Sequence, residues 1–266
     1  MAALTLTKHH GLGNDFLVVF DLDLADPAAL ARMLCDRRTG IGADGLLIGS
    51  SAPGYAARMQ LINADGSPAE MSGNGIRCFA QALFRRGTGS KLQILTDAGA
   101  RAVEVSLPAE GDTILAAVDM GEIEPLDEPA DWHRLGCDPM RPVMHLSVGN
   151  PHSVVGVEDV AEVDLATLGA VVPMVNLEVI EPGPEMSAVT MRVHERGAGL
   201  TMACGTGACA SAWAAVQWGL VPAHVPEIVV HMPGGDATVK VNHPARGRVT
   251  LVGPATFVAT ITIDVP

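Results

Sequence analysis

Three features of the 266-residue sequence predict an α+β fold in which sheet encloses helix. Short runs that alternate apolar and polar residues dominate the chain, the period-two signature of half-buried antiparallel strands. Helical signals appear in only three places. One glycine-rich segment occurs twice, about half a chain apart, which points to two pseudo-symmetric halves.

The predicted strands fall in two sets. The first comprises Asp15 to Phe20, Met59 to Asn63, Lys91 to Thr96, Ala102 to Leu107 and Ile114 to Val118. The second comprises Val143 to Val148, Ser153 to Val157, Asn176 to Ile180, Val189 to His194, Ile228 to Met232, Ala237 to Val241, Val249 to Val252 and Phe257 to Ile263. Gly, Pro, Asn and Asp separate them at hairpin spacing. The first helix opens at Asp26-Pro27, an N-cap followed by proline at the first helical position, and continues through AALARMLCDRR. A second is expected from about Gly75 to Arg86, stopping at Gly87, with Ile76, Phe79, Ala80 and Leu83 on one face. A third, from about Gly207 to Trp218 and stopping at Gly219, is small and apolar on nearly every side, as suits a helix enclosed all round.

The repeated segment is Met71-Ser72-Gly73-Asn74-Gly75, which opens the second helix, and Ala203-Cys204-Gly205-Thr206-Gly207, which opens the third. A glycine-rich strand-to-helix turn is commonly structural when it occurs once; the pairing is what makes this one informative. Glycines at a helix N-terminus let backbone N–H groups approach a ligand, and the helix dipole favours negative charge there. A thiol in that position should have its thiolate stabilised and its pKa lowered toward neutrality. Two such loops facing one another would form an anion pocket with a proton-transfer group on either side. That suits removal of a proton from one face of a carbon and its return to the other, with backbone N–H groups holding a nearby carboxylate.

Composition excludes several functions. The formal net charge of -13 repels phosphate backbones and anionic membranes, so no nucleic-acid or membrane partner is expected. No apolar run approaches the roughly 18 residues of a membrane span. The N-terminus lacks the features of a secretory leader, and five cysteines are an odd, sparse number for a disulfide framework, so a reducing cytoplasm is expected. Aromatics make up 3% of the chain, which leaves the core to Val, Leu, Ile, Met and Ala. GLGNDF has no third glycine or βαβ context for dinucleotide binding, and His9-His10 and His194-Glu195 lack metal-ligand spacing. Trp132, Trp213 and Trp218 are read as packing residues.

Over nearly its full length the chain resembles the diaminopimelate epimerase family. The resemblance rests on KHHGLGNDF, RRTGIGADGLL, INADGSPAEMSGNGIRC, VGNPHSVV, VPMVNLEVI, MRVHERGAGLTMACGTGACA and GPATFVATITI, in that order. It implies an epimerase of the lysine and peptidoglycan pathway, free of metal and pyridoxal cofactor, that interconverts LL- and meso-diaminopimelate. Ser72 and Cys204 then stand at the two proton-transfer positions, with His152 and Glu195 polarising and orienting the reacting pair. Asn74 and Thr206, with the amides of Gly73 and Gly205, would hold the groups on the reacting carbon. Asn14, Asn63, Asn150, Asn176 and Arg196 would bind substrate, several of them at its distal zwitterionic end, where amides and an arginine fork can read geometry. The same resemblance implies a homodimer and two halves, each a mostly antiparallel sheet curled around a central helix. The first half would be 1–118 completed by a final strand at 255–266, and the second 119–254, with the active site in the cleft between them.

Two departures stand out. The family has cysteine at both proton-transfer positions, and here the first is Ser72. A hydroxyl is a far weaker acid than a thiol, so Ser72 would donate or relay a proton with His152 or Glu195 as the base. A natural Ser/Cys subtype, a substitution and a relative with altered chemistry all fit that change. Leu200 replaces a usual acidic residue, and Gly45 replaces a glutamine found in some members. The alternatives are a same-fold isomerase or dehydratase on another small acid, and a ligand-binding protein whose catalysis Ser72 impairs. Cys78, six positions beyond Ser72, is read as packing.

Overall fold

The computed structural model describes residues 2–22, 26–107, 111–243 and 247–265. The chain divides into two compact units, Met1–Val118 with Gly253–Pro266, and Asp119–Val252.

The first unit contains β1 (Ala2–Gly11), β2 (Asn14–Phe20), α1 (Pro27–Cys35), β3 (Gly45–Ser50), β4 (Ala57–Asn63), β5 (Pro68–Ala69), α2 (Gly73–Arg85), β6 (Lys91–Thr96), β7 (Gly99–Ser106) and β8 (Thr113–Glu122, which continues past the boundary). In the second lie β9 (Glu124–Pro125), a 3₁₀ turn (Trp132–Leu135), β10 (Val143–Ser147), β11 (Pro151–Gly156), α3 (Leu165–Val171), β12 (Asn176–Pro182), β13 (Ala188–Glu195), β14 (Gly199–Thr201), α4 (Gly205–Gln217), β15 (Glu227–Met232) and β16 (Gly235–His243). The last strand, β17 (Arg248–Val265), pairs with β16 as far as Val252 and with β1 from Thr256 onward.

Strand pairing repeats from one unit to the other. Antiparallel β1·β2 corresponds to β10·β11, parallel β2·β3 to β11·β12, and antiparallel β3·β4 to β12·β13. The short antiparallel strands β5 and β14 follow, then parallel β4·β6 and β13·β15, then antiparallel β6·β7 and β15·β16, and finally β7·β8 and β16·β17. The repeat visible in two loops therefore extends to the order and direction of strand pairing in both units. In the first unit β8 and β1 both pair with β17, which closes the sheet around α2. The fold is α+β, with most of the sheet antiparallel.

The two central helices are buried along most of their length, α4 because its residues are small or apolar and α2 although it also carries Asn74, Arg77 and Gln81 inside. In α2 every residue from Gly73 to Leu83 is buried, and in α4 every residue from Gly205 to Val216 except Trp213. Both start two residues earlier than the apolar periodicity suggests. Ser72 and Cys204 are themselves the N-caps, in extended backbone, so the glycines beside them form the first turn. Gly87 and Gly219, with φ of 86° and 74°, end the chain's excursion as expected of left-handed stops. The first helix stops at Cys35 instead of running on through DRR, because Asp36 turns to cap the loop amides of Arg38 and Thr39.

One expectation fails at the C-terminus. Two strands were expected across Gly253-Pro254, and a single 18-residue strand runs through. Proline lacks an N–H, and these residues fall between the ladders to β16 and to β1. Trp132 is buried in an apolar cluster with Val155, Leu165 and Leu177, whereas Trp213 and Trp218 are half-buried. Cys78 is fully buried with its thiol pushed up to about 12 by burial, consistent with packing.

The first unit also buries a histidine. His9 is 0% exposed, with Nδ1 2.8 Å from Gln81 Oε1 and Nε2 2.9 Å from the Thr7 hydroxyl. Burial pushes its pKa from the usual 6.5 to about 4; the Gln81 hydrogen bond opposes this and Arg85 adds to it. Above pH 6.5 His9 is neutral in both folded and unfolded chains. Between 6.5 and about 4 the unfolded chain takes up a proton that the fold refuses, so stability falls with pH, by up to about 3 kcal/mol from this group. Denaturant midpoints at pH 7 and pH 5 should therefore differ more for the wild type than for His9→Gln. Equal differences would remove His9 as the cause.

Candidate active site

In the first unit the site is built on the start of α2. Ser72 is half-buried, and its Oγ accepts a hydrogen bond from Gly75 N at 3.0 Å, a cap contributing about 1 kcal/mol to the helix. That contact uses a lone pair and leaves the hydroxyl hydrogen to donate. A Cβ on Gly75 would lie 3.2 Å from the same oxygen, so the serine is held against bare backbone.

A chain of side chains fixes the residues around it. Asn74 Nδ2 donates to Asn14 Oδ1 at 3.1 Å, and Asn14 Nδ2 donates to Asp44 at 2.6 Å. Arg77, itself 0% exposed, donates to Asn74 Oδ1 at 2.8 Å, to Gly73 O at 3.0 Å and to Pro254 O at 3.2 Å. Arg37 bridges Asp44 and Asp15 at 2.7 Å each, and Lys8 reaches Asp15 at 2.9 Å. Burial pushes the Asp15 carboxyl up, but Arg37 and Lys8 outweigh it and hold it below the usual range. The structure thus brings Asn14 and Asn74 into direct contact. Asn63 stands apart from them in its contacts, donating to Ser67 Oγ at 3.0 Å within its own turn. Sequence reasoning passed over Asp44, Arg37 and Arg77, although RRTGIGADG was singled out and an arginine in a helix with no other charge before Arg85 was a signal.

In the second unit the site is built on the start of α4. Cys204 is 3% exposed, and its sulfur accepts from Gly207 N at 3.4 Å and lies 3.4 Å from Thr206 Oγ1. His152 is fully buried; its Nδ1 is 2.6 Å from Glu178 Oε1 and its Nε2 2.9 Å from Asn150 Oδ1. Asn176 ties three loops together, donating to Pro151 O at 3.0 Å and accepting from Arg196 N at 2.9 Å. Glu195 accepts from Thr201 Oγ1 at 2.5 Å. Leu200 lies opposite His194 in β14 and is 50% exposed; nothing in the structure explains it. Gly45 lies buried in β3, where a Cβ would meet Ile62 O at 3.0 Å.

The electrostatics of Cys204 reverse the expectation drawn from its helix terminus. Burial pushes the thiol well above its ordinary value, and Glu195 and Glu178 push it further; Thr206 and the Gly207 amide oppose this and lose. A helix terminus stabilises a thiolate by roughly a kcal/mol, whereas full desolvation beside two carboxylates costs several times that. The resting side chain is the neutral thiol, an acid waiting for a charge to arrive. Glu178 is the residue sequence reasoning missed altogether. A glutamate in the middle of the apolar strand NLEVI was the available signal.

Among the described residues no cluster of three His, Cys, Asp or Glu is placed to hold a metal ion, and no helix is long and apolar enough to cross a membrane.

Comparison with known proteins agrees with this architecture. Among solved structures, a phenazine biosynthesis protein of the PhzF family from Bacillus anthracis superimposes with a TM-score of 0.77 at 15% identity, covering all of both chains. A hydroxyproline epimerase from Agrobacterium vitis with bound trans-4-hydroxy-L-proline gives 0.72 at 14% identity, over 98% of this chain and 92% of that one. At such identities these share the fold. Sequence relatives are nearer. A diaminopimelate epimerase from Desulfitobacterium hafniense is 38% identical over 281 aligned residues, 96% of each chain. Another from Moorella thermoacetica is 40% identical over 93% of this chain and 95% of its own. The diaminopimelate epimerase family model matches residues 6–125 and 144–258, which take in both capped helix starts and every candidate residue named above. With that coverage and those two half-chain repeats, this chain belongs to the diaminopimelate epimerase family.

Proposed function

We propose that the protein is an isomerase that interconverts LL- and meso-diaminopimelate in lysine and peptidoglycan biosynthesis. The observation that carries this reading is the matched pair of capped helix starts, Ser72-Gly73-Asn74-Gly75 and Cys204-Gly205-Thr206-Gly207. Epimerisation breaks one Cα–H bond and forms another on the opposite face, so it needs one proton acceptor and one donor. Cys204 is the side chain that ionises. The substrate's ammonium supplies a positive charge beside the sulfur, the thiol passes its proton to the Glu195 carboxylate, and the thiolate takes the one from Cα. The electron pair left on Cα spreads into the substrate carboxylate, held by the first-turn amides. Ser72 delivers or relays a proton to the other face. His152 and Glu195 polarise the pair, and Asn14, Asn63, Asn74, Asn150, Asn176, Arg196 and Thr206 bind and orient the substrate. No organic cofactor or metal is part of this reading, which also takes the protein as a cytoplasmic homodimer.

The test is α-proton exchange. Reduced protein incubated in D₂O with LL- and, separately, meso-diaminopimelate should wash out the α-proton of each and yield the other, followed by NMR. Exchange from one isomer alone would leave Cys204 as the sole competent base. No exchange from either would sink the reading and leave a ligand-binding protein on this fold.

A further inference from the structure

We propose that Glu178 is the positioning residue of the Cys204 half-site, its buried carboxylate orienting the His152 ring and lying beside the Cys204 sulfur. The site carried over from the family has no role for this side chain.

Four observations converge on it. Glu178 is 0% exposed in the middle of β12, an expensive place for a carboxylate. Its Oε1 lies 2.6 Å from His152 Nδ1. Its Oε2 accepts no hydrogen bond among the described residues. The strongest constraint comes from Gly207, where a Cβ would lie 2.6 Å from Glu178 Oε1 and 3.3 Å from the Cys204 sulfur. The first turn of α4 therefore has bare backbone where the carboxylate and the thiol crowd the same point.

Two consequences follow from elementary chemistry. A carboxylate at Nδ1 keeps that nitrogen protonated, so the ring is fixed and its Nε2 edge is turned to Asn150, 2.9 Å away. The carboxylate's charge meanwhile disfavours a thiolate next to it, so Cys204 stays protonated until a cation binds. Glu195 of β13 acts on the sulfur in the same sense and more strongly, and Glu178 adds to it. The helix packs on β10 to β13, β15 and β16. His145 of β10 turns to Ser153 at 2.9 Å, and the buried side chains of β15 and β16 (Ile228, Val230, Met232, Ala237, Val239 and Val241) are apolar.

The proposal rests on the epimerase reading only for what Cys204 does in turnover. Glu178→Gln keeps the shape and removes the charge. It is expected to lower kcat at least about tenfold in both directions while KM stays within about threefold, the pattern of a lost transition-state interaction. It should also move the pH midpoint of Cys204 alkylation by iodoacetamide downward, read by mass spectrometry of the Cys204 peptide. An unmoved midpoint, or a kcat within about twofold of wild type, overturns the proposal. A second measurement needs no Glu178 variant. In wild-type protein labelled with ¹⁵N-histidine, the ring signal absent from His152→Gln should show a protonated Nδ1, and an unprotonated Nδ1 overturns the proposal. If the epimerase reading itself fails, wild-type protein shows no α-proton exchange, while the alkylation and imidazole measurements still report on Glu178.

Discussion

Cys204→Ala is expected to abolish interconversion, with kcat falling by roughly 10² to 10⁴ or more, because it removes the side chain that takes the α-proton. The fold should survive. The substitution leaves the small buried pocket at the start of α4 nearly filled and removes only a weak sulfur acceptor to Gly207 N, 3.4 Å away. A stability loss of about 1 kcal/mol is the expected scale of a lost cap. Removing a buried thiol beside Glu178 and Glu195 leaves no uncompensated charge behind, since that thiol is neutral at rest. Rates in both directions, with a denaturant midpoint on the same sample, separate the two effects. A variant that folds and turns over within about tenfold of wild type would remove Cys204 from proton transfer.

Ser72 should behave differently in its two substitutions. Ser72→Ala is expected to slow interconversion by roughly 10² to 10³ while sparing α-proton exchange on the isomer whose hydrogen faces Cys204. The lost hydroxyl also uncaps α2 at Gly75, costing about 1 kcal/mol. Ser72→Cys should instead raise the rate, by about tenfold or more, because a thiol titrates far nearer to neutral pH than a hydroxyl and proton-transfer rates follow that match. Sulfur still accepts from the Gly75 amide, as Cys204 does from Gly207 in the other unit, so stability should hardly change. Interconversion unchanged in both variants would reduce Ser72 to a helix cap.

What could be read from the sequence depended on whether the physics was local. The capped glycine turns at Ser72 and Cys204 were legible because caps, turns and the first helical amides lie within four residues of one another. The first helix was legible from its Asp26-Pro27 cap and starts there, whereas the starts of the two central helices were misplaced by two residues because glycine carries no apolar signal. The break expected at Gly253-Pro254 was a sound local inference, overridden by a register that leaves those residues between two ladders.

The partnerships inside the site were not legible. Asn14 and Asn74 are sixty positions apart and meet because β1, β2 and α2 pack together. His152 and Glu178 are 26 positions apart and meet because β11 and β12 run parallel, placing His152 opposite Asn176 and Glu178 two residues along. Nothing in either local segment announces that register.

By itself, then, the sequence determined the fold class, the twofold repeat, the family and the residue types at each candidate position, since all of these are written in periodicity, capping and motif. Only the tertiary structure decided the ionisation of Cys204. A helix start argued for a thiolate, and enclosure by β11 to β13 made it a neutral thiol. Desolvation and the field of Glu178 and Glu195 depend on which strands surround the sulfur, and that arrangement exists only once the chain has folded.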